Sequence, residues 1–261
     1  MEGEDRADQQ GDRGRELSDV AAAWSGATYE RIAEAFAPTH RRVVETLAPE
    51  PGDRFLDLAC GTGGVALIAA RGGVEVNGLD ISPDQLAKAR TAAEAEELSI
   101  RFDEGDAQAL PYADGEFDAV ASAFGMIFAP DHARAAAELT RVCRPAGRFA
   151  ITAWERDGWC EVGRRLRPDY EGVTAHQWAE DGYVCGLFPE AELSFQRGEA
   201  TISASSADEC WQLLSSSVPP LKAWLDTLEP DARENAGREY RQLLGDGSLS
   251  REYVLILGTR R

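Results

Sequence analysis

Phe55-Leu56-Asp57-Leu58-Ala59-Cys60-Gly61-Thr62-Gly63-Gly64 is the stretch that decides how this chain folds. It reads as a short buried strand, Arg54 to Leu58, that breaks into a glycine-rich turn and opens a helix running to Arg71. Asp57 lies inside the otherwise apolar strand, where a carboxylate is costly unless a polar group meets it. The glycines let the backbone turn sharply and leave bare main chain for a ligand to approach. The helix start behind them offers N–H groups that lack intrahelical partners. Strand, glycine turn and helix N-terminus together make a nucleotide-type cofactor site.

Downstream, strands and helices alternate. A second strand covers Val74 to Leu79 and ends at Asp80. Ser82-Pro83-Asp84-Gln85 then starts a helix through Glu96, with Ser82 at the cap, Pro83 in the first helical position and Gln85 in the capping-box slot. Further strands are expected over Ile100–Glu104, Phe117–Ala121 and Arg148–Ala153. The last two are separated by a helix from Pro130 to Cys143 and a closing turn over Arg144-Pro145-Ala146-Gly147. This rhythm implies a parallel sheet with helices on both faces. After Trp154 it changes. Short helices are expected over Asp157–Pro189, then a strand over Leu193–Ala204. A helical stretch over Ala207–Leu244, broken at Pro219-Pro220 and near Pro230, leads to a last strand over Ser250–Thr259. The fold class is therefore α/β: a Rossmann-like, seven-stranded, mostly parallel sheet with one antiparallel strand from the late pair, plus a helical cap.

Upstream of Arg54, Val20, Trp24, Ile32, Phe36, Val43, Val44 and Leu47 recur at helical spacing, with Ser25-Gly26 as the expected break. Residues 1–17 are polar and read as a disordered tail. The organisation expected is a tail over 1–17, a helical lid over 18–48, a cofactor-binding core over 49–154, and cap helices with the last two strands over 155–261.

With 261 residues of which 43% are apolar, the chain can bury a large core. Its net charge of −19 argues against nucleic acid or an anionic membrane surface as partner, because phosphate binding relies on Lys and Arg. The five cysteines form no C-x-x-C pair, so neither a metal site nor a disulfide framework is expected, and reduced cytoplasmic thiols are. No apolar run of transmembrane length and no signal peptide stands out.

Gly61-Thr62-Gly63-Gly64-Val65-Ala66 formally fits the dinucleotide pattern G-x-G-x-x-A, and Asp80 follows Gly61 by 19 residues, near the spacing of a ribose-binding acid. NAD is therefore one reading. Against it stand Asp57 within the first strand, where a pyrophosphate has no use for an anion, and Asp106 at the end of the third strand. The late strands also replace a second mononucleotide half.

Several segments in the same order resemble the class I S-adenosylmethionine-dependent methyltransferases, and within them the small-molecule enzymes of the ubiquinone and menaquinone biosynthesis type. They are Phe55 to Gly63, Gly78-Leu79-Asp80-Ile81-Ser82-Pro83 and Glu104-Gly105-Asp106-Ala107-Gln108-Ala109-Leu110-Pro111. Glu116-Phe117-Asp118-Ala119-Val120 and Glu138 to Arg148 complete the set, which covers about residues 52–154.

The resemblance implies S-adenosylmethionine as cofactor. Ala59, Gly61, Thr62 and Gly63 would bring backbone to its amino-acid end, with Asp57 organising the turn and favouring the cationic amine. Asp80 would accept from both ribose hydroxyls, since a carboxylate offers two acceptor oxygens. Ile81 and Ala107 would sandwich the adenine, and Asp106 would accept from its amino group. Gln85, Phe124 and Tyr29 complete the expected cofactor contacts, and Gln108 fits either a contact or a solvated helix start. Trp24, Met126, Phe128, Trp159, His176 and Trp178 are candidate substrate contacts.

The chain departs from the family pattern twice. Ala59 stands in place of the first glycine, and Phe128 stands where many relatives carry histidine, which removes the simplest candidate base. His176 and His132 remain as catalytic candidates, and His40 reads as solvated. The activity implied is methyl transfer to an O, N or C nucleophile of a small organic acceptor, such as a secondary metabolite, by a monomer or homodimer. A catalytically silent cofactor-binding regulatory or partner protein is the alternative.

Overall fold

The structure, a computed structural model, describes residues 30–166 and 174–261. The expected tail, Val20, Trp24, the Ser25-Gly26 break, Tyr29 and Tyr170 lie outside the described residues. Helices α1 (Glu30–Ala35) and α2 (Ala37–Leu47) precede the sheet. They part at Phe36, because Pro38 has no N–H with which to continue the ladder of α1.

The alternation then runs β1 (Arg54–Leu58), α3 (Gly64–Arg71), β2 (Glu75–Asp80) and α4 (Pro83–Ala95). It continues through β3 (Ile100–Glu104), β4 (Phe117–Ala123), α5 (His132–Val142) and β5 (Cys143–Trp154). Past β5 come α6 (Gly158–Leu166), a 3-10 turn at Thr174–Ala179, α7 (Asp181–Leu187) and β6 (Ala191–Ser203). Helices α8 (Ala207–Ser217), α9 (Pro219–Asp226) and α10 (Pro230–Leu244) lead to β7 (Ser248–Arg260). The helix breaks fall at Pro219-Pro220 and Pro230, as the sequence implied.

The seven strands form one sheet in the order β3-β2-β1-β4-β5-β7-β6. Neighbours from β3 through β5 are parallel, and β7 alone is reversed, antiparallel to both β5 and β6. The late pair supplies the antiparallel strand, as the sequence implied, and β7 is inserted between β5 and β6. Strand β1 lies between β2 and β4, and four of its five residues are buried, which is why all of them but Asp57 are apolar. From β1 the chain winds to β2 and β3 on one side and to β4 and β5 on the other. Such a reversal opens a crevice at the strand carboxyl ends.

Local chemistry sets the element boundaries. Ser82 Oγ accepts from Gln85 N–H at 3.4 Å and starts α4. Asp131 Oδ1 accepts from Arg134 N–H at 2.9 Å, so α5 begins at His132 and not at Pro130. The expected turn over Arg144–Gly147 is instead drawn into β5. Phe117 pairs with Cys143 while Ala119 pairs with Arg148, so the extra residues are taken up as a bulge. In the cap, Tyr240 of α10 gathers the rings of Trp159, Trp211 and Trp224, with centroids at 4.3, 5.2 and 6.5 Å. Among the described residues no helix is long and apolar enough to cross a membrane.

Candidate functional site

An open cavity lies over the carboxyl ends of β1, β2, β3 and β4. Its floor is the turn after β1. Ala59 and Gly61 both take left-handed φ, at 55° and 53°, and the turn is fastened by Cys60 N–H to Leu79 O at 2.9 Å. Ala59, Gly61 and Thr62 present to the cavity. Gly63 does not; it is the helix N-cap at φ 83°, and its Cα faces the Ala89 methyl and the Phe102 ring.

Two carboxylates stand on the β2 and β3 side. Asp80 accepts from Gly61 N–H at 2.7 Å through Oδ2 and from Ser82 N–H at 2.9 Å through Oδ1. Each oxygen retains a lone pair for a ligand. Burial pushes the Asp80 carboxyl up, and the backbone N–H groups of Ser82, Gly61 and Ile81 oppose that. Asp106 binds the Gln108 main chain at 2.9 Å and its side-chain amide at 3.1 Å. Gln108 Oε1 in turn accepts from Asp131 N–H at 2.9 Å, so Gln108 ties the β3 loop to the start of α5 as well as bordering the cavity. Asp80 and Asp106 are the acidic residues of the lining, and no described Lys or Arg lines the cavity. Its field therefore suits a cationic ligand.

The other half is apolar. Phe36, Phe124, Met126 and Phe128 line it, from the junction of α1 and α2 and from the segment after β4. Phe124 holds a left-handed φ of 59°, which costs a bulky residue about 1–3 kcal/mol unless its surroundings enforce it. Here Thr152 Oγ1 accepts from Phe124 N–H at 2.9 Å, and the ring stacks on Trp154 at 3.8 Å and 4°.

Comparison with known proteins gives this arrangement its family. Residues 56–151 match the family described as a methyltransferase domain. The chain is 32% identical to an uncharacterized protein of Mycobacterium tuberculosis over 258 residues, which is 92% of this chain and 93% of that one. It is 46% identical to the demethylmenaquinone methyltransferase of Deinococcus radiodurans over 160 residues, 59% of this chain and 66% of that enzyme. The chain belongs to the class I S-adenosylmethionine-dependent methyltransferases. The YcgJ protein of Bacillus subtilis shares the fold, with a TM-score of 0.61 at 19% identity over 85% of this chain and 98% of that one. The cofactor of the methyltransferase is S-adenosylmethionine. The residues present fit it: a sulfonium and an ammonium meet a cavity whose fixed charges are carboxylates, and the turn at Gly61 offers bare backbone.

Of the residues singled out from the sequence, Ala59, Gly61, Thr62, Asp80, Ile81, Gln85, Asp106, Ala107, Gln108, Phe124, Met126 and Phe128 line this cavity. Several others do not. Asp57 is 1% exposed and spends Oδ2 on Ala66 N–H at 2.9 Å, so it caps α3 from beneath the turn. Trp159 belongs to the Tyr240 cluster of the cap. Trp178 is fully buried beside His132 and Phe188. His176 faces Cys160, Nδ1 to Sγ at 3.9 Å, away from the cavity lining. His132, the other catalytic candidate, is buried and bonded to Tyr183 OH at 2.8 Å. Neither catalytic candidate reaches the cavity.

His40, read as solvated, does line it, as does Phe36. The signal was present: positions 36, 40, 43, 44 and 47 form one helical stripe, so a residue at 40 must face inward with its apolar neighbours.

Asp57 yields a stability prediction. Burial raises its carboxyl from 3.8 to about 7, the Ala66 N–H lowers it, and nearby Asp80 raises it further. A carboxyl that holds its proton more tightly when folded loses stability as pH rises from the unfolded value through the folded one. Asp57→Asn keeps an acceptor for Ala66 and removes the charge. It is expected to raise the melting temperature at pH 8 by several degrees, on the order of 2–4 °C per kcal/mol relieved, and to change it little at pH 4. Calorimetric melts at both pH values check this; an equal effect at both would show that ionisation of Asp57 plays no part.

Proposed function

We propose that the methyltransferase passes the methyl group to an oxygen, nitrogen or carbon nucleophile on a small, partly apolar organic acceptor, with a secondary metabolite as a fitting example. The observation that carries this reading is the two-sided lining of the cavity, with carboxylates on the β2 and β3 side and aromatic and thioether side chains on the other. Asp80 would accept from the ribose hydroxyls and Asp106 from the adenine amino group, with Ile81 and Ala107 against the adenine ring. Bound cofactor supplies an electrophilic methyl group, which the acceptor lone pair takes as the C–S bond breaks. Phe36, Phe124, Met126 and Phe128 would hold the acceptor in line and keep water from the sulfonium.

The likeness to a demethylmenaquinone methyltransferase supports an aromatic acceptor. Residues 18–48 fit a lid, since Ala33, Phe36 and His40 of α1 and α2 line the cavity from above the strand ends. A cytoplasmic protein without nucleic-acid partners accords with the net charge of −19.

Thermal-shift measurements with S-adenosylmethionine, S-adenosylhomocysteine and NAD, followed by label transfer from methyl-labelled cofactor to a panel of quinols, phenols, amines and carbon acids, test this. Stabilisation by the first two ligands and labelling of an apolar panel member are expected. Stabilisation by NAD alone would overturn the cofactor site, and labelling confined to highly charged acceptors would overturn the acceptor class.

A further inference from the structure

His40 sits on α2 and lines the same cavity as Asp80 and Asp106, at the place where α2 packs against α3 and β4. Its ring rests on the first helical residue of α3. A methyl group placed on Gly64 would lie 2.4 Å from His40 Nδ1 and 2.7 Å from its Cε1. Gly64 is therefore a glycine because His40 occupies the space of its side chain, not because the turn needs it. His40 is mostly buried and keeps some exposure where its ring borders the open cavity, and the protein packed around it pushes its pKa down to about 4. No described residue makes a hydrogen bond or ion pair with the ring. The cavity's other titratable groups each have a protein partner: Asp80 two backbone N–H groups, Asp106 the Gln108 main chain and amide, and the Cys60 thiol Gly61 O. An imidazole brought to a ligand cavity and given no protein partner has its hydrogen-bonding capacity available for the ligand.

We propose that His40, seated on Gly64, is the residue that binds the amino-acid end of the cofactor. The assignment rests on the cofactor reading above. If Asp80 and Asp106 take the ribose and adenine, the rest of the molecule extends toward β1 and β4, where His40 stands. A neutral imidazole suits that end, because one nitrogen can accept from the ammonium and the other can donate to the carboxylate. An imidazolium there would repel the ammonium and the sulfonium. Gly64 and His40 thus act as a matched pair, and any side chain at position 64 would push the ring out of place.

Titration calorimetry on the full chain separates this from a general packing role. The two probes are S-adenosylhomocysteine and 5′-deoxy-5′-methylthioadenosine, which has the same adenine, ribose and thioether but no amino-acid tail. His40→Ala is expected to weaken S-adenosylhomocysteine by about tenfold or more, the loss of a hydrogen bond to a charged group. It should leave methylthioadenosine binding as in the wild type. Gly64→Ala, which displaces the ring, should reproduce that selective loss, while His40→Gln, which keeps a donor and an acceptor, should bind both probes close to wild type. Equal loss of both probes in a folded His40→Ala, or no loss of either, would overturn the assignment while leaving the cofactor site intact. Failure of the wild type to bind either probe would overturn the cofactor site itself, and the role of His40 with it.

Discussion

Replacing Asp80 by alanine is expected to weaken S-adenosylmethionine by on the order of 2–4 kcal/mol, the loss of the two charge-assisted hydrogen bonds proposed between it and the ribose. The expectation rests on where the carboxylate is held. It ends β2, is 8% exposed, and is aimed at the cavity by the N–H groups of Gly61 and Ser82. Those two bonds fix its orientation before any ligand arrives, so little ordering entropy remains to be lost on binding. They also mean that alanine frees two backbone donors, so some loss of thermal stability should accompany the loss of affinity. Asp80→Asn keeps one acceptor oxygen for the turn and separates the two effects: its stability should stay nearer the wild type while its affinity still falls. Calorimetric titration of a folded Asp80→Ala that gave wild-type affinity would remove Asp80 from the cofactor site.

The second large effect is expected at the glycine turn, where two neighbouring glycines should fail in different ways. Gly61 has φ 53°, and nothing lies within 4 Å of where its side chain would begin. A valine there carries the strain of a left-handed β-branched residue, about 1–3 kcal/mol, and its methyl groups enter the space that the cofactor needs. Gly61→Val should therefore abolish cofactor binding in a protein that still folds. Gly63 has φ 83°, and a side chain there would begin 3.2 Å from the Ala89 methyl. Valine at that position strains the turn and wedges α3 from α4, so Gly63→Val should show first as a lowered melting temperature. Circular dichroism melts beside binding titrations read both. A folded Gly61→Val with normal affinity would place the cofactor elsewhere.

How much of this was legible beforehand depended on the range of the forces involved. The glycine turn, the order of strands and helices, the Ser82 cap and the breaks at Pro219-Pro220 and Pro230 are set by residues within a few positions of one another. Backbone sterics, missing donors and apolar periodicity act at that range. The acids Asp80 and Asp106 were likewise legible, because in a parallel sheet every strand's carboxyl end comes to the same edge. So was a reversed strand in the late pair, which the change of rhythm after Trp154 implied.

What the tertiary structure alone decided concerns side chains whose neighbours are distant in sequence. Asp57 looked like a cofactor ligand because it precedes the turn, yet the wrap of α3 over β1 brings Ala66 N–H to it and seals it from the cavity. Trp159 looked like a substrate wall until α10 brought Tyr240 against it. His132 and His176 are engaged by partners, Tyr183 and Cys160, that only the folded cap supplies. His40 moved the other way. The helical period turned it inward, but only the docking of α2 on α3 set it over Gly64 and open to the cavity. Local sequence dictates a backbone through short-range sterics and periodicity. Whether a polar side chain is spent on the protein or left for a ligand depends on which distant element packs against it.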